Sequence, residues 1–253
     1  MSVDLPPSED FQWPDNIQAA VSLSFDDARL SQVDHGLAIL DAHDVLATFY
    51  VVPFAFTQRI AGWKAAAAAG HELGNHTVTH PCSANFDFAR KNPLEDYTLE
   101  RMAEELDGAS REIEQSFGVT PETFAYPCGQ TYVGRGRETL SYLPLVAVLF
   151  LVVRGFYSDR CYDPVRCDLS QTFASDFDGR TFDSVRVMIE RTVEQRGWLI
   201  LAGHETAVPG AQSVREDTLQ TLCGYLVEQQ EIIWTGTVAA IGRYVRDTRR
   251  KNA

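Results

Sequence analysis

Seven short apolar runs, most followed by a stretch of helical periodicity, constrain this chain more than any other feature. The runs are Ala19–Phe25, Leu46–Val52, His71–Asn75, Glu122–Tyr126, Leu145–Val152, Trp198–Gly203 and Glu231–Thr235. Most are apolar on both faces, the pattern of parallel strands covered on two sides by helices. Helices are expected over Val33–His43, Phe56–Ala69, Leu94–Phe117, Asp183–Arg196, Val214–Gln229 and Thr237–Arg249. Leu94–Phe117 carries the clearest signal: Met102, Leu106 and Ile113 mark one face, and Gly118 and Pro121 stop it. Alternation of this kind gives a (β/α) barrel or an open doubly wound sheet. At 253 residues and 45% apolar content, a single domain over 1–253, with its core at about 19–245, can bury a sizeable interior. Residues 154–182 are the least regular and are expected to form an inserted loop over the mouth.

The net charge of −13 argues against nucleic acid or an anionic membrane as partner, because phosphate binding needs clustered Lys and Arg. The one basic cluster, Arg249-Arg250-Lys251, reads as a solvated tail. The N-terminal residues show no basic segment followed by an apolar core, and Leu143–Val153 is too short to span a bilayer. A cytoplasmic location is therefore expected, although a secreted protein with its leader removed would look the same. Five cysteines without a C-x-x-C pair are expected as reduced thiols, with a Cys161–Cys167 bridge as the alternative. Nothing in the sequence speaks to oligomeric state.

Polar residues with chemistry collect where the runs end. Asp26 and Asp27 close the first, His76 and His80 follow the third, Tyr126-Pro127-Cys128-Gly129 ends the fourth, and His204-Glu205 ends the sixth. In α/β barrels these ends share one rim. One carboxylate and two imidazoles suit a divalent metal with an open position, and a second carboxylate beside them can accept a proton. Zinc fits this donor set, as would cobalt or nickel. Each piece has a plainer reading: the acidic pair as a helix cap, the histidines as surface residues, Pro127 and Gly129 as a turn. Their coincidence on one rim favours a metal hydrolase. His35, His43 and His71 need no functional role.

These residues carry a resemblance. The chain resembles the polysaccharide deacetylases, carbohydrate esterase family four, from about Ala19 to Tyr244. The family's Thr-Phe-Asp-Asp-Gly appears as Ser24-Phe25-Asp26-Asp27-Ala28, and its His-Ser/Thr-x-x-His as His76-Thr77-Val78-Thr79-His80. Its Arg-x-Pro-x-Gly appears as Ala125-Tyr126-Pro127-Cys128-Gly129, and its last strand as Leu199-Ile200-Leu201-Ala202-Gly203-His204. The resemblance implies a distorted (β/α)7 barrel. It implies metal binding by Asp27, His76 and His80, Asp26 as general base and His204 as general acid. The Cys128 N–H would help bind the oxyanion, within the substrate-binding stretch Tyr126, Pro127, Cys128 and Gly129. Three departures stand out. Ala125 replaces an Arg that pairs with the base, and Arg154 could supply that charge instead. The fourth motif, Asp-x-x-Asp-Trp, is not recognisable, which leaves Asp159, Asp163 and Asp168 as candidates to orient His204. Ala28 replaces a Gly. The implied activity is removal of N-acetyl or O-acetyl groups from a carbohydrate. The alternatives are hydrolysis of small cyclic amides of the allantoin or imide type, and a non-catalytic carbohydrate-binding relative. Tyr126, Phe156, Tyr157 and Trp234 are candidates to stack on sugar rings.

Overall fold

A computed structural model describes residues 11–156 and 162–252. Its main sheet is a parallel ring. The strands are β1 (Ala19–Asp26), β2 (Thr48–Val51), β3 (Glu72–Asn75), β4 (Thr123–Ala125), β5 (Val152–Arg154), β6 (Ser175–Asp176), β7 (Trp198–Gly203) and β8 (Ile233–Thr235). They run in the order β5-β4-β3-β2-β1-β7-β6, with β8 beside the N-terminal half of β1. The ring closes just before β6. Thr172 N donates to Val153 O at 2.9 Å, and Gly155 N donates to Thr172 O at 2.7 Å. This is a distorted (β/α)7 barrel, curled from seven parallel strands on one path with β8 added beside β1 and with helices around it.

Alternation along β1 sets what faces where, because neighbouring side chains in a strand point to opposite faces. Val21, Leu23 and Phe25 join the core under the helices, with Phe49, Trp63, Leu199 and Leu222. Ser22, Ser24 and Asp26 take the other face. There Trp198 Nε1 donates to Ser22 Oγ, and Arg154 pairs with Asp26. The barrel interior is therefore partly polar, and its polar groups lead up to the C-terminal rim. At the opposite end the last helix, α7 (Val238–Asn252), is capped from inside the barrel. Val238 N donates to Thr48 Oγ1 and Ala239 N to Glu72 Oε2, both at 2.9 Å. Burial pushes the Glu72 carboxyl up.

Besides a single helical turn at Pro53–Phe56, the remaining helices are α1 (Leu37–Ala42), α2 (Ile60–Ala69), α3 (Leu99–Phe117), α4 (Leu143–Leu149), α5 (Phe182–Glu194) and α6 (Glu216–Glu228). All but α4 fall within segments expected to be helical, or within a residue of them. The long helix starts at an N-cap, Thr98, which accepts from Arg101 N; it stops at left-handed Gly118. Two expectations are corrected. Leu145–Val152 is not a strand: its first part belongs to α4, opened by Pro144 in the first turn, and pairing begins only at Val152. Val146 is buried while Val148 is 86% exposed, so the run never had two buried faces. Residues 154–182 are more than a loop, since they contain β6 and the segment that closes the barrel.

Candidate functional site

Asp27 is the first residue past β1 and His76 the first past β3, so the barrel itself brings them to one rim. Asp27 Oδ1 lies 3.5 Å from His76 Nε2 and 3.3 Å from His80 Nε2. Three ligands around one tetrahedral zinc stand about 3.3 Å apart, close to these two separations, and the three donor atoms all lie within 4.8 Å of one another, near enough to converge on one ion. Each group is set up for that task. His76 Nδ1 is 2.8 Å from the Ala125 carbonyl, which fixes the proton on Nδ1 and leaves the Nε2 lone pair facing Asp27. Arg29 holds the far oxygen, Asp27 Oδ2, through Nη2 at 2.9 Å and Nε at 3.1 Å, leaving Oδ1 to ligate. Burial alone would raise the Asp27 carboxyl. The His76 hydrogen bond and the charges that His76 and His80 carry when protonated, together with Arg29, outweigh it and hold the group well below the usual carboxylate range. Burial, with the neighbouring His76 charge, pushes the His80 imidazole down to about 4, so the neutral, ligating form prevails at pH 7.

The loop carrying the two histidines is fastened to α3. Glu105 accepts from Val78 N at 2.9 Å and Thr79 N at 2.8 Å. Asn75 Nδ2 donates to Leu106 O, and Asn75 Oδ1 accepts from Thr77 N, both at 2.8 Å. Backbone strain concentrates here. Of the nine non-glycine residues with positive φ among the described residues, five lie at this rim: Asp27, Ala28, Thr77, His80 and Cys128. Such conformations persist only where the surroundings over-determine them, and they cluster at functional sites.

Asp26 turns the other way from Asp27, into the barrel. Its carboxylate pairs with the buried guanidinium of Arg154, which also donates to Gly155 O at 3.1 Å and lies over the Tyr50 ring. Arg154 is the direct parallel-strand partner of Ala125. The cation missing at Ala125 is thus supplied one strand along.

His204, just past β7, is oriented by a residue that sequence reasoning missed. Asp178 Oδ2 lies 2.6 Å from His204 Nδ1, and Asp178 Oδ1 accepts the His204 N–H at 3.0 Å. Burial lowers the imidazole's affinity for its proton. The Asp178 bond and the charges of Asp26, Asp178 and Asp27 outweigh it, and the net shift is upward. The expected orienting groups are elsewhere: Asp163 and Asp168 cap their own turns at Val165 N and Ser170 N. Asp159 lies outside the described residues. The signal for Asp178 was an acidic residue two positions past a strand end, hidden by reading the whole segment as loop. Gln32, in a π-helical turn (Gln32–Gly36), was also missed. Its Nε2 donates to Asp26 O at 2.6 Å and His204 O at 2.8 Å, tying together the ends of β1 and β7.

The turn after β4 faces these groups. Gly129 N donates to Tyr126 O at 2.9 Å and Gln130 N to Pro127 O at 3.1 Å, while Cys128 adopts φ 52°. Pro127 is buried and shapes the turn. The Tyr126 hydroxyl is committed to Ser170 O at 3.0 Å, and burial raises its phenol. Cys82 and Cys128 are joined in a disulfide, so the expectation of five reduced thiols is corrected. The alternative Cys161–Cys167 bridge involves a residue outside those described. A cleft of about 1220 Å³ is lined by Asp26, Asp27, His76, His80, Cys128 and His204. Tyr126 and Phe156 also line it, whereas Trp234 packs on Trp13 and Tyr244 away from it. Tyr157 lies outside the described residues.

With this geometry in place, comparison with known proteins gives a consistent picture. The family model described as polysaccharide deacetylase matches residues 15–146. A candidate polysaccharide deacetylase from Mycobacterium smegmatis superposes with a TM-score of 0.71 at 19% identity, over 97% of this chain and 96% of that one. The peptidoglycan deacetylase PdaC from Bacillus subtilis gives 0.55 at 18% identity, over 93% and 95%. A CE4 family pseudoenzyme from Bacillus anthracis gives 0.55 at 18% identity, over 90% and 66%. At these identities the likeness speaks for the fold. Among curated proteins, the uncharacterized protein YlxY of Bacillus subtilis is 36% identical over 93 residues, 37% of this chain and 26% of that protein. A gellan lyase from a Bacillus species is 24% identical over 268 residues, 93% of this chain and 10% of that protein. The matched region is thus only about a quarter and a tenth of the length of those two.

Proposed function

The chain belongs to the polysaccharide deacetylase family, and we propose that it is a metal-dependent hydrolase removing acetyl groups, N-linked in the first instance, from a carbohydrate. One observation carries the reading. A three-donor cluster, a carboxylate paired with a buried cation and a carboxylate-oriented histidine all line a single cleft. Asp27, His76 and His80 would hold zinc, with cobalt or nickel as other ions the set accepts. When bound, such an ion supplies a Lewis acid and makes water acidic enough to attack near neutral pH. Asp26, held beside the cluster by Arg154, takes the proton of the attacking water. The Cys128 N–H donates to the developing oxyanion. His204, with Asp178 on Nδ1, gives the proton on Nε2 to the departing group. An amine needs that proton more than an alcohol does, since an amine anion is a very poor leaving group, which favours an N-acetyl substrate.

The cyclic-amide and non-catalytic readings drew on the missing Arg and the missing fourth motif. Arg154 and Asp178 fill both roles, which weighs against them. No helix among the described residues is long and apolar enough to cross a membrane. The Cys82–Cys128 disulfide favours an oxidising compartment over the cytoplasm. Net negative charge argues against nucleic acid as partner. The test is a substrate panel on zinc-loaded protein. Acetate release from N-acetylated chito-oligosaccharides supports the reading. Ring opening of cyclic ureides or imides without acetate release would replace it with the small-amide alternative.

A further inference from the structure

The Cys82–Cys128 disulfide has no part in the chemistry above, yet it joins the two loops on which that chemistry depends. Cys82 is two residues past His80, and Cys128 sits at the centre of the turn that offers the oxyanion donor. They are 46 residues apart in sequence and 6.2 Å apart at Cα. The sulfur of Cys82 lies 3.7 Å from His80 Nδ1, so the bridge abuts the imidazole on its non-ligating side. A second link runs parallel to it: Ser83 N donates to Gln130 Oε1 at 2.8 Å. Cys128 itself is left-handed, a conformation an L residue keeps only under outside restraint. The hydrogen bonds of its own turn come from Gly129 and Gln130 and leave the Cys128 N–H out.

The metal loop has its own anchors. Glu105 and Asn75 fasten it to α3, and Ala125 O fixes His76. Among the described residues, the links from the Cys128 turn to the segment after His80 are the Ser83–Gln130 hydrogen bond and the disulfide, while Tyr142 Oη donates to Gln130 O at 2.6 Å from the other side. Cutting the disulfide therefore acts on the oxyanion donor far more than on the metal donors.

We propose that the Cys82–Cys128 disulfide is a positioning element for the reaction, holding the Cys128 N–H at a fixed place relative to His80, so that turnover requires the oxidised form. This rests on the proposed deacetylase reading. Reduction by a dithiol breaks the S–S bond and leaves two thiols. The dithiol supplies two electrons and two protons and closes to its own disulfide. Reoxidation by a small disulfide reverses the exchange.

The experiment compares wild type with Cys82→Ala/Cys128→Ala, which keeps the Cys128 N–H. Both are zinc-loaded and assayed for acetate release before and after dithiothreitol, with zinc measured in each sample. Removing an oxyanion donor outright lowers kcat by about 10²–10³, so loosening one should lower it by about 10- to 100-fold. The expected result is that fall in kcat in the double variant, with KM and zinc content nearly unchanged. Reduced wild type should fall to the same level and recover on reoxidation. The double variant should ignore dithiothreitol, which separates cleavage of the bridge from chelation of zinc by the reagent. Unchanged kcat, or a loss that follows zinc loss, overturns the proposal. If oxidised wild type releases no acetate from any substrate, the deacetylase reading has failed, and hydrogen exchange then decides the positioning claim. Amides of residues 126–131 should exchange at least about tenfold faster in the double variant than in wild type while α3 is unchanged, and equal rates in the turn would sink it.

Discussion

Replacing Arg154 by methionine tests the energetic logic of the site most sharply. The guanidinium is fully buried and the Asp26 side chain is only 6% exposed. Solvent screening is weak there, and Arg154→Met leaves a buried carboxylate without its cation. Breaking one side of such a pair costs about 3–5 kcal/mol. Methionine fills most of the volume beside Tyr50 and Phe156, so the loss is electrostatic rather than a cavity. For a chain of this size 1 kcal/mol moves Tm by roughly 2–4 °C, so the expected fall is roughly 6–20 °C. Thermal unfolding of the metal-free proteins, followed by tryptophan fluorescence, measures that fall, and urea unfolding gives the free energy itself. The Asp26→Asn/Arg154→Met double variant removes both charges and should recover at least about half of the loss, because no uncompensated charge remains. A single variant destabilised by less than about 1 kcal/mol, or a double variant no more stable than the single, would refute the reasoning.

Asp178→Asn removes the charge that helps raise the His204 imidazole. A proton donor works only while protonated, so activity falls as pH rises through the raised value; the variant's alkaline limb should move to lower pH, with kcat at neutral pH down about tenfold or more. An alkaline limb that stays in place would show that His204 is not the acid. The same pair affects stability: His204 binds its proton more tightly folded than unfolded, so its contribution is complete below the ordinary histidine range and is lost as pH rises through the raised value. Asp26→Asn should lower acetate release by at least about 10²-fold while zinc stays near one per chain, and near-normal turnover would remove Asp26 from the role of base.

The parts of the fold that were legible in the sequence are those where burial leaves a periodic trace. β1 and β7 read as strands because they are short, mostly apolar runs buried along their whole length, and the residues at the ends of these and of β3 read as site candidates because a barrel puts strand ends on one rim. Leu145–Val152 misled because an unbroken run of eight apolar residues has no period that tells a short helix from a strand, and the opening Pro144 was the better signal. β6 is two residues long and carries no periodicity, so Asp178 behind it was out of sight. Arg154 was visible as a charge ending an apolar run; its pairing with Asp26 depends on a register against Ala125 that spacing does not encode. The Cys82–Cys128 pairing depends on two loops meeting across the rim, and cysteine spacing does not give connectivity. Gln32 comes one residue before an expected helix, and nothing there predicts that one side-chain amide bridges two strand ends.

The central claim is that Asp27, His76 and His80 hold a metal on which deacetylation depends. Zinc content by elemental analysis, on wild type and on His76→Ala, with acetate release assayed on the same samples and the fold of each checked by circular dichroism, tests it most directly. The account predicts about one zinc per wild-type chain, and loss of both zinc and acetate release in a folded variant. Wild type that takes up no zinc when it is supplied, or a His76→Ala protein that keeps both metal and activity, would contradict it.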